Sequence, residues 1–450
     1  MKSKKELIIL SRKNTTLFRL FLPIFLELLF TMLAGVVDTM MIASEGDQAV
    51  GAVGTANSYI NVFLVMFTII SSGMLAVMTQ YIGAERPSVA QQTLRLGLLV
   101  NLAFGLVVTI LLCVCAGPIL DLVGIARDLR EPACVYMQTV GIFSICSALI
   151  PIYSSYLRAF GHTSSTLWGT VLGNVVNLVL NSIFLFILNM GVFGVALATG
   201  ISRLVNLVWV WAASRRRIQP AARKDLLPSR VILGKILQVG LPGAMESSLY
   251  NLAVMIVISF LNRMDSTGTQ AIARAYAAQI SNFSFCAGAA LSQANAILAG
   301  WHIGAGKLEE CNRETHKNAL IGILLGGGTA GIFALFSKFI LRIFTQDPEI
   351  IRLVGSLLVI DIFLEMGRAL NMVYGNALKA SGDATYTMII GVVFMFLFAV
   401  GGTWYLGICL GWLAVGAYVG MALDECVRGL FMYLRWCKGY WKTKNLLGES

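Results

Sequence analysis

Residues 153–161 read YSSYLRAFG, and residues 374–382 read YGNALKASG. The two stretches share Tyr-x3-Leu, a basic residue, Ala-x-Gly, at an offset of 221 positions (153 to 374). Ile82-Gly83-Ala84 returns as Ile303-Gly304-Ala305 at the same offset. Leu22-Pro23-x3-Glu27 returns as Leu241-Pro242-x3-Glu246, two positions short of it. Three matches at nearly one spacing are hard to obtain by chance in apolar sequence, so the chain reads as two copies of one unit. An even number of membrane crossings per copy, six, keeps the copies parallel about an axis along the membrane normal. Such two-lobed proteins place substrate between the lobes and move it by rocking one against the other.

The sequence between these anchors is lipid-soluble in character. Apolar residues make up 57% of the 450 positions and charged residues 13%, against about 45–50% and 25% in a soluble domain; mean hydropathy is +0.77. Apolar runs near 17–43, 49–79, 93–117, 132–160, 166–189, 191–213, 235–261, 267–301, 317–342, 350–380, 386–408 and 411–437 are each long enough to cross about 30 Å of hydrocarbon as a helix. The predicted fold is an all-α integral membrane protein of about twelve helices in two pseudo-symmetric six-helix lobes. Its divisions are an N-terminal lobe over 1–213, a basic cytoplasmic linker over 214–234, a C-terminal lobe over 235–437 and a cytoplasmic tail over 438–450.

Net charge is +11, from 34 Lys+Arg and 23 Asp+Glu. The cations fall in short segments between apolar runs and not on a soluble face, which argues against nucleic acid and for an orientation signal. With the N-terminus inside, one side collects Arg86, Arg95, Arg158, Arg215-Arg216-Arg217, Arg223-Lys224, Arg230, Lys307, Arg313, Lys317, Lys379, Arg435, Lys438, Lys442 and Lys444. The other side keeps Arg127, Arg130, Arg263, Arg342 and Arg352. Both termini are therefore expected in the cytoplasm, in a multi-pass cytoplasmic membrane protein with no cleaved signal peptide. The nine cysteines lie in apolar runs without a CxxC pair and read as small buried hydrophobes. Gly304-x-Gly306-Lys307 lacks the flanks of a phosphate loop, no GxSxG occurs, and His162, His302 and His316 show no metal-ligand spacing. The chain is expected not to be an enzyme and to need no cofactor. Work would come from an ion gradient.

Ionisable groups inside spans cost about 2.5–3.5 kcal/mol each on insertion scales and so call for a role. Asp38 lies in the first span. Asn174, Asn177 and Asn181 share one face of the fifth, and Thr199 adds a hydroxyl in the sixth. A carboxylate with amide and hydroxyl oxygens suits Na⁺, and a buried carboxylate equally serves as a proton carrier; an asparagine stripe can also be interhelical glue. In the second half Asp361, Glu365, Arg368 and Asn371 share a face of the tenth span, and Glu246, Tyr250 and Asn251 occupy the seventh. These seven are candidate substrate-cavity residues, with an acidic excess suited to a cation. Asp424, Glu425 and Arg428 can pair within the twelfth span. Together with Glu27 and Arg203 they read as a structural charge network, Arg203 pairing with an acid across its lobe. Methionines and phenylalanines could line an adaptable cavity.

Taken together, Pro23-x3-Glu27, Val37-Asp38-Thr39, Leu157-Arg158-Ala159-x-Gly161, Asn177-x3-Asn181 and Leu378-Lys379-Ala380-x-Gly382-Asp383 resemble the multidrug and toxic compound extrusion (MATE) transporters over nearly the whole chain. The resemblance implies twelve helices in two lobes, a central cavity open to one side at a time, and Na⁺- or H⁺-driven export of cationic drugs. It carries the family's first-span aspartate onto Asp38, its fifth-span polar pair onto Asn177 and Asn181, and its sixth-span threonine onto Thr199. Some members have an acid where this chain has Asn181. Glu246 and Glu365-x2-Arg368-x2-Asn371 resemble a bacterial branch. The expected function is a cation-coupled antiporter working in the lipid bilayer as a monomer on small organic, cationic substrates. The alternatives are a flippase for lipid-linked saccharide precursors, a membrane enzyme and a channel.

Overall fold

The computed structural model describes residues 16–122, 124–221, 226–264, 268–342 and 345–448. These residues are helices and turns, in two compact units, Met1–Gly240 and Leu241–Ser450.

The first unit begins with α1 (Leu17–Ala43), α2 (Asp47–Gly83), α3 (Pro87–Val114) and the short α4 (Ala116–Leu122). It continues with α5 (Arg127–Ile142), α6 (Ser144–Ala159), α7 (Thr163–Ser182) and α8 (Gly191–Arg217). Phe67, Leu112, Leu120, Tyr136, Met137 and Leu185 centre its core. The single run expected at 132–160 is instead two helices bent by 48°. At the break the Phe143 ring fills the space of the absent Gly200 side chain; a Cβ there would lie 2.1 Å from the ring. Helix α8 continues into the stretch read as linker, and the rest of that stretch is tied to α3 by two side-chain amides. Gln91 donates to Gln219 O (2.8 Å) and accepts from Ala221 N (2.9 Å). Gln92 donates to Leu227 O (2.5 Å) and accepts from Leu227 N (3.1 Å). The basic residues Arg223 and Lys224 lie outside the described residues.

The division between units falls within α9 (Ser229–Met264). Then come α10 (Thr269–Gly304), α11 (Leu308–Leu335), the short α12 (Ser337–Leu341), α13 (Pro348–Ser381), α14 (Ala384–Phe394) and α15 (Leu413–Cys437). Helix α13 starts where a helix should: Pro348 occupies its first turn and Asp347 Oδ1 accepts from Glu349 N at 2.8 Å. Val257, Leu261, Leu341, Leu357, Leu358 and Tyr418 form the core. The segment 438–448 is no free tail. Trp441 is fully buried and stacked on Trp436 (centroids 4.1 Å apart), and Lys444 and Arg435 both grip Asp383 at 2.6 and 2.8 Å. Burial of an indole outweighs the freedom of a short terminal segment.

Among the described residues nine helices are long and apolar enough to span a membrane, and ten spans result if the bent α5–α6 pair counts as one. Helices α13 and α15 are 34 and 25 residues long and fall outside that set because of their charges. Most of those charges pair with one another inside the fold, and with these two helices each unit has six crossings. Outward-facing Leu99, Val107, Ile110 and Val114 on α3 are the surface expected where lipid is the solvent.

Helices α13 and α15 meet backbone to backbone. A Cβ on Gly367 would lie 2.7 Å from Cys426 N, and one on Gly429 2.9 Å from Gly367 O. This contact brings Glu365 and Arg368 against Glu425 and Arg428. Gly367→Ala is expected to force the helices apart at a cost of about 1–3 kcal/mol, read as a Tm lowered by several degrees in detergent. An unchanged Tm would show that the contact is not tight.

Candidate functional site

In the first unit Asp38 of α1 meets the end of α7. Asn181 Nδ2 donates both to Asp38 Oδ1 (3.0 Å) and to Asn177 Oδ1 (3.2 Å). Its two protons are then used, and its buried Oδ1 accepts from no described residue. Such an orphaned acceptor beside a carboxylate is what a bound cation would satisfy. Asp38 also lines a cavity of about 180 Å³ with Thr39, Asn57, Tyr136 and Thr199. Tyr136 donates to Asn57 Oδ1 at 3.2 Å, and Thr199 donates to Val195 O at 2.9 Å, leaving its oxygen lone pairs available. The donor set is oxygen throughout, which fits Na⁺ or a proton better than a soft metal. Asn174 is not part of this cluster: it donates to Phe30 O (3.1 Å), pinning α7 to α1. Arg203 corrects the expectation of an acid partner. Its Nη1 donates to Ser147 Oγ at 2.9 Å, and no carboxylate among the described residues lies within 4 Å. The hydroxyl of a neighbouring helix meets the guanidinium where no acid is in reach.

The internal repeat recurs as geometry. Glu27 pairs with Arg158 at 2.8 Å and Glu246 with Lys379 at 2.8 Å. Thr166 donates to Glu27 Oε2 at 2.8 Å, and Thr387, at the position equivalent to Thr166, lines the same cavity as Glu246. Each pair ties the first helix of its unit to the helix that carries the Leu-(Arg/Lys)-Ala motif. Lys379, read from sequence as an orientation charge, therefore belongs to this cavity.

That cavity, in the second unit, has a volume of about 510 Å³ and is lined by Glu246, Tyr250, Asn251, Asp361, Arg368 and Asn371 of the sequence-derived set. Glu365 is the exception: it is buried beneath Arg368 and in close contact with it. From there a charge chain crosses to α15. Arg368 Nε lies 3.3 Å from Glu425 Oε1, Asn371 donates to Glu425 Oε2 (2.9 Å), and Arg428 Nη2 contacts Glu425 (2.9 Å) and Asp424 (2.7 Å). Asp424, Glu425 and Arg428, read from sequence as structural, are thus continuous with the cavity wall, which Glu425 and Arg428 help to form. Met372, Met395, Met421 and Met432, with Phe285 and Tyr418, supply the apolar lining.

Arg274 of α10, singled out by no motif, also lines the cavity. Its signal was present, an arginine inside the apolar run 267–301. With Arg274 and Lys379 added, the expected acidic excess shrinks to near balance: Glu246, Asp361, Glu365, Asp424 and Glu425 against Arg274, Arg368, Lys379 and Arg428.

The histidines lie apart from both sites. His162, in the α6–α7 turn, is held below its ordinary pKa by burial and by the Arg217 charge. His316 Nδ1 lies 2.6 Å from the Tyr374 hydroxyl. His302 corrects the reading of no ligand spacing, since the α10–α11 turn brings it within 3.9 Å of Glu310 and 3.8 Å of Glu314. Lys307 competes there, 2.8 Å from Glu310.

The MatE family profile matches residues 23–183 and 242–404, one segment in each unit. The chain is 32% identical over 441 residues to the "Uncharacterized transporter YisQ" of Bacillus subtilis, covering 96% of both chains. It is 25% identical over 448 residues to a "Probable multidrug resistance protein NorM" of Thermotoga maritima, covering 96% of this chain and 94% of that one. Among solved structures, the outward-facing conformation of a multidrug resistance MATE family transporter of the MOP superfamily superposes with a TM-score of 0.84. Its sequence identity is 19% and the match covers 96% of each chain, a likeness of fold.

Proposed function

The chain belongs to the MATE family, whose members are membrane transporters and not enzymes, and on that footing we propose that it is a cation-coupled antiporter. In this reading it exports small organic molecules bearing at least one positive charge across the plasma membrane. Asp38 takes H⁺ or Na⁺, assisted by Asn177, Asn181 and Thr199, and the cavity of the second unit takes the substrate. Cation binding neutralises the Asp38 carboxylate and favours one conformation, substrate binding favours the other, and the gradient turns that preference into export. The observation carrying this reading is the Asp38–Asn181–Asn177 cluster, a half-buried carboxylate against two buried asparagines, with its unsatisfied amide oxygen. The Lys/Arg asymmetry supports cytoplasmic termini, and a monomer suffices, because each cavity is lined by one unit alone. Flippase activity on a lipid pyrophosphate would call for several unpaired cations, whereas Arg368, Lys379 and Arg428 already have acid partners.

The test is ethidium efflux from proteoliposomes under an imposed Na⁺ gradient and, separately, an imposed pH gradient. One of the two should accelerate efflux severalfold over the no-gradient rate. Equal rates under all three conditions would refute coupled antiport.

A further inference from the structure

Once every ion pair in the second-unit cavity is assigned, two charged side chains belong to none of them. Glu246 is paired with Lys379, and Glu365, Arg368, Glu425, Arg428 and Asp424 form one continuous chain of ion pairs along α13 and α15, three acids to two arginines. Asp361, only 2% exposed, has Ser281 as its polar neighbour and Arg368 within electrostatic range, but no cation among the described residues lies within 4 Å of it. The Arg274 guanidinium makes no ion pair or hydrogen bond to any described residue, and its Nε is buried without a partner. Both side chains line the same cavity of about 510 Å³, and both lie within electrostatic range of Tyr418. An unpaired charge is costly where it is buried, as Asp361 is, and Arg274 is half-buried beside an apolar wall of methionines. Two charges of opposite sign that do not pair with each other give the cavity wall a dipolar character.

We propose that this cavity recognises a zwitterion: Asp361 receives the cationic group of the substrate and Arg274 receives an anionic group, a carboxylate by preference. A guanidinium presents a planar fork of donors that matches the two oxygens of a carboxylate. Asp361 accepts from an ammonium or amidinium, and the methionines and Phe285 cover the apolar body between them. The charges of the ligand pair with both side chains at once, so neither group alone obtains the full affinity. This inference rests on the antiport reading for its physiological meaning and deepens it by naming the substrate class.

Rhodamine 110 and rhodamine 123 test it, being the same xanthene as a free carboxylate zwitterion and as its methyl ester cation. Their size falls within what a cavity of this volume holds. Binding to the purified full-length protein is measured by fluorescence polarisation at fixed ionic strength. Wild type should bind rhodamine 110 about tenfold more tightly than rhodamine 123. Arg274→Gln should bring that ratio to about one by weakening the acid form, Arg274→Lys should keep part of it, and Asp361→Asn should weaken both dyes. Equal affinity of the wild type for the two dyes, no measurable binding of rhodamine 110, or an Arg274→Gln variant that retains the ratio would overturn the proposal. Ethidium efflux by the same preparation separates the two readings. A lost preference with gradient-driven efflux intact refutes the zwitterion alone, and a preserved preference without such efflux refutes antiport alone.

Discussion

Asp38→Asn is expected to reduce gradient-driven ethidium efflux to the rate of empty liposomes while the protein still folds. Asparagine has the size and shape of aspartate, and its side-chain oxygen can still accept from Asn181 Nδ2, so the α1–α7 contact at 3.0 Å survives. What disappears is the charge. A charge-assisted contact is worth about 1.5–3 kcal/mol, so cation affinity at this cavity should fall by about 10- to 100-fold. Without a cation that prefers one conformation, the gradient has nothing to act on. Dye binding, governed by the second unit, should change less than threefold. Wild-type efflux from the variant, with the same response to the gradient, would remove Asp38 from the mechanism.

Arg428→Met is expected to destabilise the protein by about 3–5 kcal/mol, because it leaves Asp424 as an uncompensated buried acid and Glu425 with Arg368 as its one remaining cation. The chain Glu365–Arg368–Glu425–Arg428–Asp424 alternates in sign, and Arg428 touches two of its members at 2.7 and 2.9 Å. Removing Arg428 together with Asp424 restores the alternation at three members. The double variant Asp424→Leu/Arg428→Met should therefore recover most of the lost stability, since replacing both partners of a buried pair with apolar groups is often neutral. Thermal unfolding in detergent, with monodispersity as a second readout, checks both. If the double variant is as unstable as the single one, packing and not charge explains the loss.

Features written along one segment were legible before any coordinates. Apolar runs announce spans because a helix needs about 20 residues to cross lipid. The repeated Pro-x3-Glu and Leu-(Arg/Lys)-Ala-x-Gly motifs announce equivalent positions, and in each unit the acid of one meets the base of the other. The i, i+4 spacing of Asn177 and Asn181 places them together, and their hydrogen bond follows. Features that depend on which segments meet were not legible. Nothing local to Gln91 and Gln92 reveals that residues 219–227 supply their partners. Phe143 breaks its span because Gly200, on another helix, leaves room for the ring. Asn174 has the spacing of its two companions yet lies a turn too early to reach Asp38. Asp361 was a cavity candidate from sequence, but Arg274 and its relation to Asp361 emerge only once the ion pairs around them are assigned.

The linkage between cation and substrate can be measured at equilibrium on the purified protein. Ethidium affinity is titrated against Na⁺ at fixed pH and against pH without Na⁺, in wild type and in Asp38→Asn. The account predicts that one of the two cations weakens dye binding in wild type with a log–log slope approaching one, and that the slope vanishes in Asp38→Asn. The same slope in both proteins would contradict it, because the competing cation would then be bound somewhere other than at Asp38.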